Sequence, residues 1–409
     1  MKNLWIINQY INTSSESGSS RHYYLSKYLL GLNWKVTLIT GSIDHNTNKQ
    51  RLNKSISLKK EVLDEIRMIW IKVKKRSLNN NFIRGLSMVE FFLKIIFLIP
   101  LKRTGKPDMV IGSSPNLLAA LAAYFISLFY KCPFILEVRD LWPESLITLK
   151  AFKKDGLFHL FFDLIHKFLI KKSNKVIVLM EGGINFYAAM GLDKKKLFYL
   201  PNGVDMENKF YKNYDTKLIN KKPVEIFYLG FIGHANGIEI LIKVYKELQS
   251  RGLGQNDLIL RIYGDGPLKE KMKKLVFNLH LDNIFFYQPI PKNQIIDISN
   301  SADFFIFSML DLPAIYNYGI SFNKIFEYMS LSKPIIYNSY GKFNPLDLSD
   351  SAIKSKSNHP KDFADTIQYA LNLSRRERED LTKRSFQYVS ENHSYESLAI
   401  NLNNFLMGE

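Results

Sequence analysis

Short apolar strands alternating with helices, twice over along 409 residues, predict an α/β protein of two doubly wound parallel-sheet domains. Three observations carry this. Each half holds apolar runs of strand length separated by helical stretches. The runs are largely continuous, as strands covered on both faces require. The turn LPNGVD (200–205) divides the two series, and the length suits two domains of about 200 residues.

In the first half NLWIINQ (3–9) reads as a strand, NTSSESGSSR (12–21) as a polar loop and 22–30 as a helix. KVTLIT (35–40) and DMVIGSS (108–114) are strands, 116–130 is a helix, and FILEV (134–138) and KVIVLM (175–180) are strands. In the second half VEIFYLG (224–230) leads to a helix at 238–250. LILRIYG (258–264), a GDGP turn and a helix at 268–279 follow, then strands NIFFYQ (283–288), DFFIFS (303–308) and PIIYN (334–338). Residues 360–407 read as helices. The expected domains are 1–203 and 204–375, with helices of 376–409 crossing back and packing against both lobes. Ligands of such sheets collect outside the carboxyl ends of the strands, so the loops there hold the candidate chemistry.

Composition narrows the classes. The chain is 46% hydrophobic and 13% aromatic, as a globular protein is, and the single Cys132 leaves no intrachain disulfide, pointing to a reducing cytosol. The apolar run 3–7 is too short for a secretory signal, and 88–99 and 117–130 fall short of the ~20 residues of a membrane span. Charge is uneven. Residues 1–205 carry 31 Lys+Arg against 15 Asp+Glu, and residues 206–409 carry 25 against 23. A uniform lysine bias would load both halves; a basic first half instead fits an anionic membrane surface, either with Phe91, Phe92, Ile95 and Leu98 of 88–99 meeting lipid or with that segment packed inside the first domain and only the charges facing lipid. No nucleic-acid-binding module is recognisable.

Four stretches carry candidate chemistry. Glu16 and Gly18 stand among serines after the first strand, where glycine lets a ligand approach a helix start; an ordinary polar loop is the plain alternative. ILEVRDLWPES (135–145) ends a buried strand in Glu137, Arg139 and Asp140. That is either a salt-bridge knot or an acid/base and substrate-orienting cluster. GFIGHANG (230–237) and IYGDGP (262–267) are glycine turns at strand ends, bringing Gly233, His234, Gly264, Asp265 and Gly266, though glycine is common in such turns anyway. GISFNKIFEYMSLSKPII (319–336) gives a helix on which Ser321 is expected as the cap. Lys324 stands in the first turn where a phosphate would lie, and Glu327 one turn on can accept two hydroxyls.

At these residues the chain resembles glycosyltransferase family 4, retaining enzymes of the GT-B fold, over nearly its whole length. Within that family it is similar to the bacterial L-fucosamine transferases of surface-polysaccharide assembly. The stretches that carry the likeness are the Glu16/Gly18 loop with RHYYLSKYL, SSPNLLAALAAYF, EVRDLWPES, LPNGVD, YGDGP and GISFNKIFEYMSLSKPII. The resemblance implies two Rossmann-like domains facing across a cleft and a UDP-linked sugar donor. Its acceptor would be a lipid-linked saccharide at the inner face of the cell membrane, with no metal or other cofactor. Lys324 would meet the pyrophosphate and Glu327 the ribose, with Gly319, Ser321, Asn323, Gly233 and His234 beside them; the Gly264–Gly266 turn and the backbone near Ile290 would frame the base. Acceptor and sugar would lie between Gly18 and the Glu137, Arg139 and Asp140 cluster.

The chain departs from the family pattern in three places. Eight residues before Glu327 stands Gly319 rather than a glutamate, leaving Asp311 as a substitute; Phe231 and His234 occupy the loop of the usual Arg and Lys; and Arg139 stands where many relatives have His. These departures leave the proton acceptor open; the resemblance offers the departing phosphate oxygen itself as a candidate, as in front-face retaining transfer. A non-hydrolysing nucleotide-sugar 2-epimerase and an inactive membrane-docking partner are the alternatives.

Overall fold

The computed structural model describes residues 1–408 except 15, 17–19, 45–48, 54, 75–80, 102–103, 141–155, 208–221, 313–315 and 339–340. The chain divides into two compact units, Met1–Asn202 with Tyr395–Glu409, and Gly203–Ser394.

The first unit runs β1 (Lys2–Ile7), α1 (Arg21–Gly31), β2 (Trp34–Gly41), β3 (Leu58–Leu63), β4 (Ile66–Ile71), α2 (Asn81–Leu101), β5 (Met109–Ser113), α3 (Leu117–Tyr130), β6 (Phe134–Val138), α4 (Leu157–Lys172), β7 (Lys175–Val178), α5 (Gly183–Ala189) and β8 (Leu197–Tyr199). Its sheet has the order β3-β4-β2-β1-β5-β6-β7-β8, parallel except for the antiparallel β3–β4 edge. β3, β4 and β8 were not expected. β3 is mostly exposed at the sheet edge and β8 is three residues long, so neither writes a strong apolar run; β4 (IRMIWI) does, and is buried.

The second unit runs β9 (Val224–Leu229), α6 (Ile238–Ser250), β10 (Leu258–Tyr263), α7 (Lys269–Asn278), β11 (Ile284–Tyr287), α8 (Ile295–Ser299), β12 (Phe304–Phe307), α9 (Asn323–Ser330), β13 (Ile335–Tyr337), α10 (Pro345–Leu348), β14 (Ile353–Lys354), α11 (Pro360–Leu371) and α12 (Arg375–His393). Its wholly parallel sheet is ordered β11-β10-β9-β12-β13-β14. α12 starts on a reciprocal capping box of Ser374 and Glu377 and ends with His393 stacked on Phe326 of α9 at 4.3 Å. α13 (Tyr395–Met407) then belongs to the first unit, so the division falls inside the helical segment 376–409.

Both sheets reverse their winding. In the first unit the chain moves from β1 outward through β2 and β4, then returns to β5 on the other side; in the second it goes β9, β10, β11 and returns to β12. Loops leaving β1 and β5, or β9 and β12, therefore part in opposite directions and open a crevice at the carboxyl ends.

Helices cover both faces of the first sheet. Alternate residues Leu4 and Ile6 pack with α1 and with Leu398, Ala399 and Leu402 of α13, while Trp5 points the other way and meets Tyr130 of α3 edge-on at 5.4 Å. α2 turns Phe91, Ile95 and Ile99 fully inward. The expectation that Phe91 and Ile95 meet lipid is thereby corrected: they are core. Among the described residues no helix is long and apolar enough to cross a membrane.

Because α13 covers one face of the first sheet, Leu402→Ala should destabilise that unit by about 2–5 kcal/mol through a cavity. A denaturant titration that leaves the unfolding midpoint in place would refute the covering role.

Candidate functional site

In the first unit the strand ends are held by a buried ion cluster. Glu137 ends β6 at 2% exposure, and both its oxygens are taken. Arg21 Nε donates to it at 3.0 Å, His22 Nε2 lies at 2.6 Å and the Ser113 hydroxyl of β5 donates at 2.5 Å. Arg21, fully buried, also donates to the carbonyls of Leu200 and Pro201. Burial pushes the Glu137 carboxyl up, but the charges of His22 and Arg21 outweigh it and hold the group well below its usual value. Burial lowers the His22 pKa against the pull of Glu137. The Glu137 carboxylate, expected to be catalytic, is engaged in tying α1, β5 and β6 together.

Glu16 is also engaged. It accepts from Arg51 Nε at 2.7 Å and from the Thr13 N–H at 2.8 Å, so it stabilises its own loop rather than presenting a free carboxylate. Gly18, and Trp142, Pro143 and Glu144 of the 135–145 stretch, lie outside the described residues. Arg139 is half-buried, its N–H donating to the Ser114 hydroxyl at 2.8 Å, and Asp140 beyond it is exposed. Asp140 is an exposed residue, yet burial raises the pKa of its carboxyl against the opposing pull of the Arg139 charge.

In the second unit the loop after β9 lies against the glycine turn after β10. A side chain on Gly264 would place its Cβ 1.9 Å from the Gly230 carbonyl oxygen, and one on Gly266 2.4 Å from that of Ile232. These glycines are required by backbone packing. Buried Lys269 seals the turn by donating to the carbonyls of Gly264 and Tyr287, each at 2.8 Å. Asp265 is exposed, as is His234 in a single 3-10 turn (His234–Asn236) that follows buried Gly233. Ile290 is half-buried after β11, and Asp311 is exposed after β12.

α9 begins beside β9. The Tyr328 hydroxyl both accepts from the N–H of Leu229 (2.7 Å) and donates to its carbonyl (3.0 Å), locking the helix to the end of that strand. Ser321 is not the cap: the N-cap position is Phe322, with extended backbone and no side-chain hydrogen bond to the first turn. The reason lies in the helix starting one residue later than the sequence implies. Gly319, at φ +122°, gives the chain its turn into this segment.

Lys324 stands in the first turn of α9, half-buried among rings. Its Nζ is 5.0 Å from the ring centre of Tyr228, 5.5 Å from Phe307 and 5.8 Å from Phe322. The Tyr228 hydroxyl is at 3.5 Å. With the Asn236 amide turned so that its nitrogen donates to Phe231 O, its oxygen accepts from Lys324 at 3.0 Å. Among the described residues no carboxylate reaches ion-pair distance, and burial lowers the Lys324 pKa to about 7. Asn323 Oδ1 next to it, and the Ser308 hydroxyl at the end of β12, are buried without hydrogen-bond partners. Glu327 is met by Lys292 Nζ at 3.6 Å, from the loop after β11 that holds Ile290.

The structure thus brings Lys324, Asn323 and Glu327 together with Gly233 and the β9 loop. It adds residues unmarked in the sequence. Tyr228 and Phe307 looked like ordinary strand residues, and Asn236 like part of a turn. Lys292, a lysine just beyond a strand end, and the Arg21–His22 pair at a helix start did leave a signal.

Residues 18–208 match the family model described as Glycosyltransferase Family 4, and residues 211–388 that of Glycosyl transferases group 1. Two regions of the chain, 18–208 and 211–388, are thus similar to glycosyltransferase domains. An uncharacterized glycosyltransferase of Methanocaldococcus jannaschii is 23% identical over 199 residues, 48% of this chain and 49% of that protein, so the match spans about half of each. Sucrose-phosphate synthase from Thermosynechococcus elongatus superposes with TM-score 0.70 at 14% identity, covering 100% of this chain and 99% of that one. Anabaena HepE in complex with UDP and glucose does so at 0.66 and 11%, covering 100% of both chains. These structural likenesses show the fold, which is GT-B.

A half-buried lysine whose pKa is depressed by burial among the rings around it gives stability a pH dependence of known sign. The folded state resists protonation at Lys324, whereas the unfolded chain takes it up below about 10.4, so this residue lowers stability fully below pH 7 and progressively less up to about 10.4. Lys324→Met should therefore raise the melting temperature most at pH 6 and hardly at pH 10. An equal effect at both pH values would remove the buried-amine account.

Proposed function

We propose that the chain is a retaining hexosyltransferase that moves an N-acetylated aminosugar from UDP to a lipid-linked glycan in surface-polysaccharide assembly. The observation that carries the reading is the Lys324 ammonium, in the first turn of a helix at the sheet's winding reversal and without a carboxylate partner among the described residues. A diphosphate supplies the missing counter-charge. Asn323 Oδ1 and Ser308 Oγ offer unused hydrogen-bonding capacity nearby, and Glu327 stands where ribose hydroxyls can bind beside the loop of Ile290. HepE, a structural neighbour, binds UDP and glucose.

In the transfer, the bond from the sugar's anomeric carbon to the diphosphate oxygen breaks as the acceptor hydroxyl attacks the same face. The hydroxyl proton passes to the departing diphosphate, whose growing charge Lys324 stabilises. Asp140, two residues beyond β6, takes the acceptor-side role first shared with Glu137.

Lys324→Ala should weaken UDP binding by roughly 1.5–3 kcal/mol, about 10- to 150-fold. Since free Lys324 loses its proton near pH 7, wild-type binding should take up a proton above that pH, and affinity should fall toward pH 9. Calorimetry in buffers of different ionisation enthalpy measures both; wild-type affinity in folded Lys324→Ala, or no proton uptake at pH 8, would sink the assignment.

Asp140→Asn removes the charge and keeps the shape. Transfer from a panel of UDP-sugars should fall while UDP affinity holds. A parallel fall in UDP affinity would move Asp140 to the donor side.

A further inference from the structure

Three neighbouring helices of the first unit leave an apolar outer surface that none of the described residues covers. α2, α3 and α4 lie side by side on one face of the sheet: Phe92 of α2 meets Phe125 of α3 at 6.3 Å, and Tyr124 of α3 meets Phe168 of α4 at 5.3 Å. α2 buries Phe91, Ile95 and Ile99 and exposes a second stripe, Val89, Leu93 and Phe97, at helical spacing. On α4, Phe158, Phe161 and Leu164 repeat every three residues and are 68%, 51% and 67% exposed. Phe129, at the end of α3, is 62% exposed. Single exposed apolar residues are ordinary, but stripes on three adjacent helices form a continuous patch of the kind that marks an interaction surface.

Charge identifies the occupant. α2, α3 and α4 each join parallel strands, so they run parallel to one another and end at the same edge of the sheet. At that edge stand Lys106, Lys131, Lys171 and Lys172, all exposed, and among the described residues none is paired with a carboxylate. The acidic groups on these helices are already neutralised: Glu90 by Lys94 and Asp163 by Lys167, each at 2.7 Å. The first unit carries 31 Lys+Arg against 16 Asp+Glu, and the second 25 against 22. An apolar face with a basic rim matches the boundary of an anionic bilayer, where rings enter between headgroups and lysines meet phosphates. A second copy would bring an equal positive charge against the first.

We propose that the outer face of α2, α3 and α4 docks on an anionic lipid bilayer. The surface deepens the reading of a membrane-borne acceptor and rests on it for its purpose, but lipid binding and UDP binding report on the two separately.

The test is co-sedimentation of the full chain with vesicles of phosphatidylcholine alone, or of phosphatidylcholine and phosphatidylglycerol in equal parts, at low and high salt. The wild type should sediment with the mixed vesicles and far less with the neutral ones. Phe97→Glu with Phe161→Glu should abolish sedimentation while UDP affinity is unchanged; if that pair unfolds the chain, Phe97→Ser with Phe161→Ser carries the same expectation. Lys171→Glu with Lys172→Glu should weaken binding at least tenfold at low salt, from about a fivefold effect per charge near the surface. The proposal is overturned if the wild type ignores mixed vesicles, binds both kinds equally, or if the apolar variants sediment as the wild type does. It is also overturned if light scattering shows the apolar variants splitting a dimer that has no affinity for lipid. Loss of UDP binding with vesicle binding intact would overturn the donor reading and leave the docking surface standing.

Discussion

A charge taken out of water must be paired, hydrogen-bonded or discharged, and the two units meet that constraint in opposite ways at comparable places in their sheets. Beside the winding reversal of the first unit, Glu137 is surrounded by Arg21, His22 and Ser113 and keeps its charge by being fully satisfied. Beside the reversal of the second, Lys324 has aromatic rings and one amide oxygen, and its pKa falls to about 7. The first arrangement is a fastening. The second is an unfinished ion pair, which the diphosphate of the proposed donor would complete.

The surrounding architecture serves that difference. Tyr328 clamps α9 to the last residue of β9, which fixes Lys324 over the β9 loop. Gly264 and Gly266 let the neighbouring turn press against that loop, and Lys269 pins it from behind. A loose cage would let Lys324 reach water and regain its ordinary pKa. In the first unit, Arg21 binds the carbonyls of Leu200 and Pro201, so the same cluster that orders α1 also anchors the chain where it leaves that unit. The apolar face of α2, α3 and α4 belongs to a different requirement. Those helices bury one side against the sheet as any doubly wound fold demands, and their other side carries phenylalanines where water-facing residues would suffice.

Sequence pattern alone determined the doubly wound class, most of the strands and the places where chemistry gathers, because continuous apolar runs and strand-end glycines are local signals. It also marked Lys324, Glu327 and Asp140 as polar groups beside buried strands. The family matches agree with the resemblance carried by EVRDLWPES and GISFNKIFEYMSLSKPII at the level of glycosyltransferase domains.

Only tertiary structure could decide what each of those charges is doing. Glu137 and Lys324 are equally conspicuous in the sequence, yet one is spent on Arg21, 116 residues away, and the other is left open by rings from β9 and β12. Ser321 looked like a cap until the helix began at Asn323, and Phe91 looked lipid-facing until α2 turned it inward and showed Phe97 instead. Pairing, capping and facing depend on which distant side chains arrive at the same place. Long-range packing settles that, and a one-dimensional pattern does not contain it.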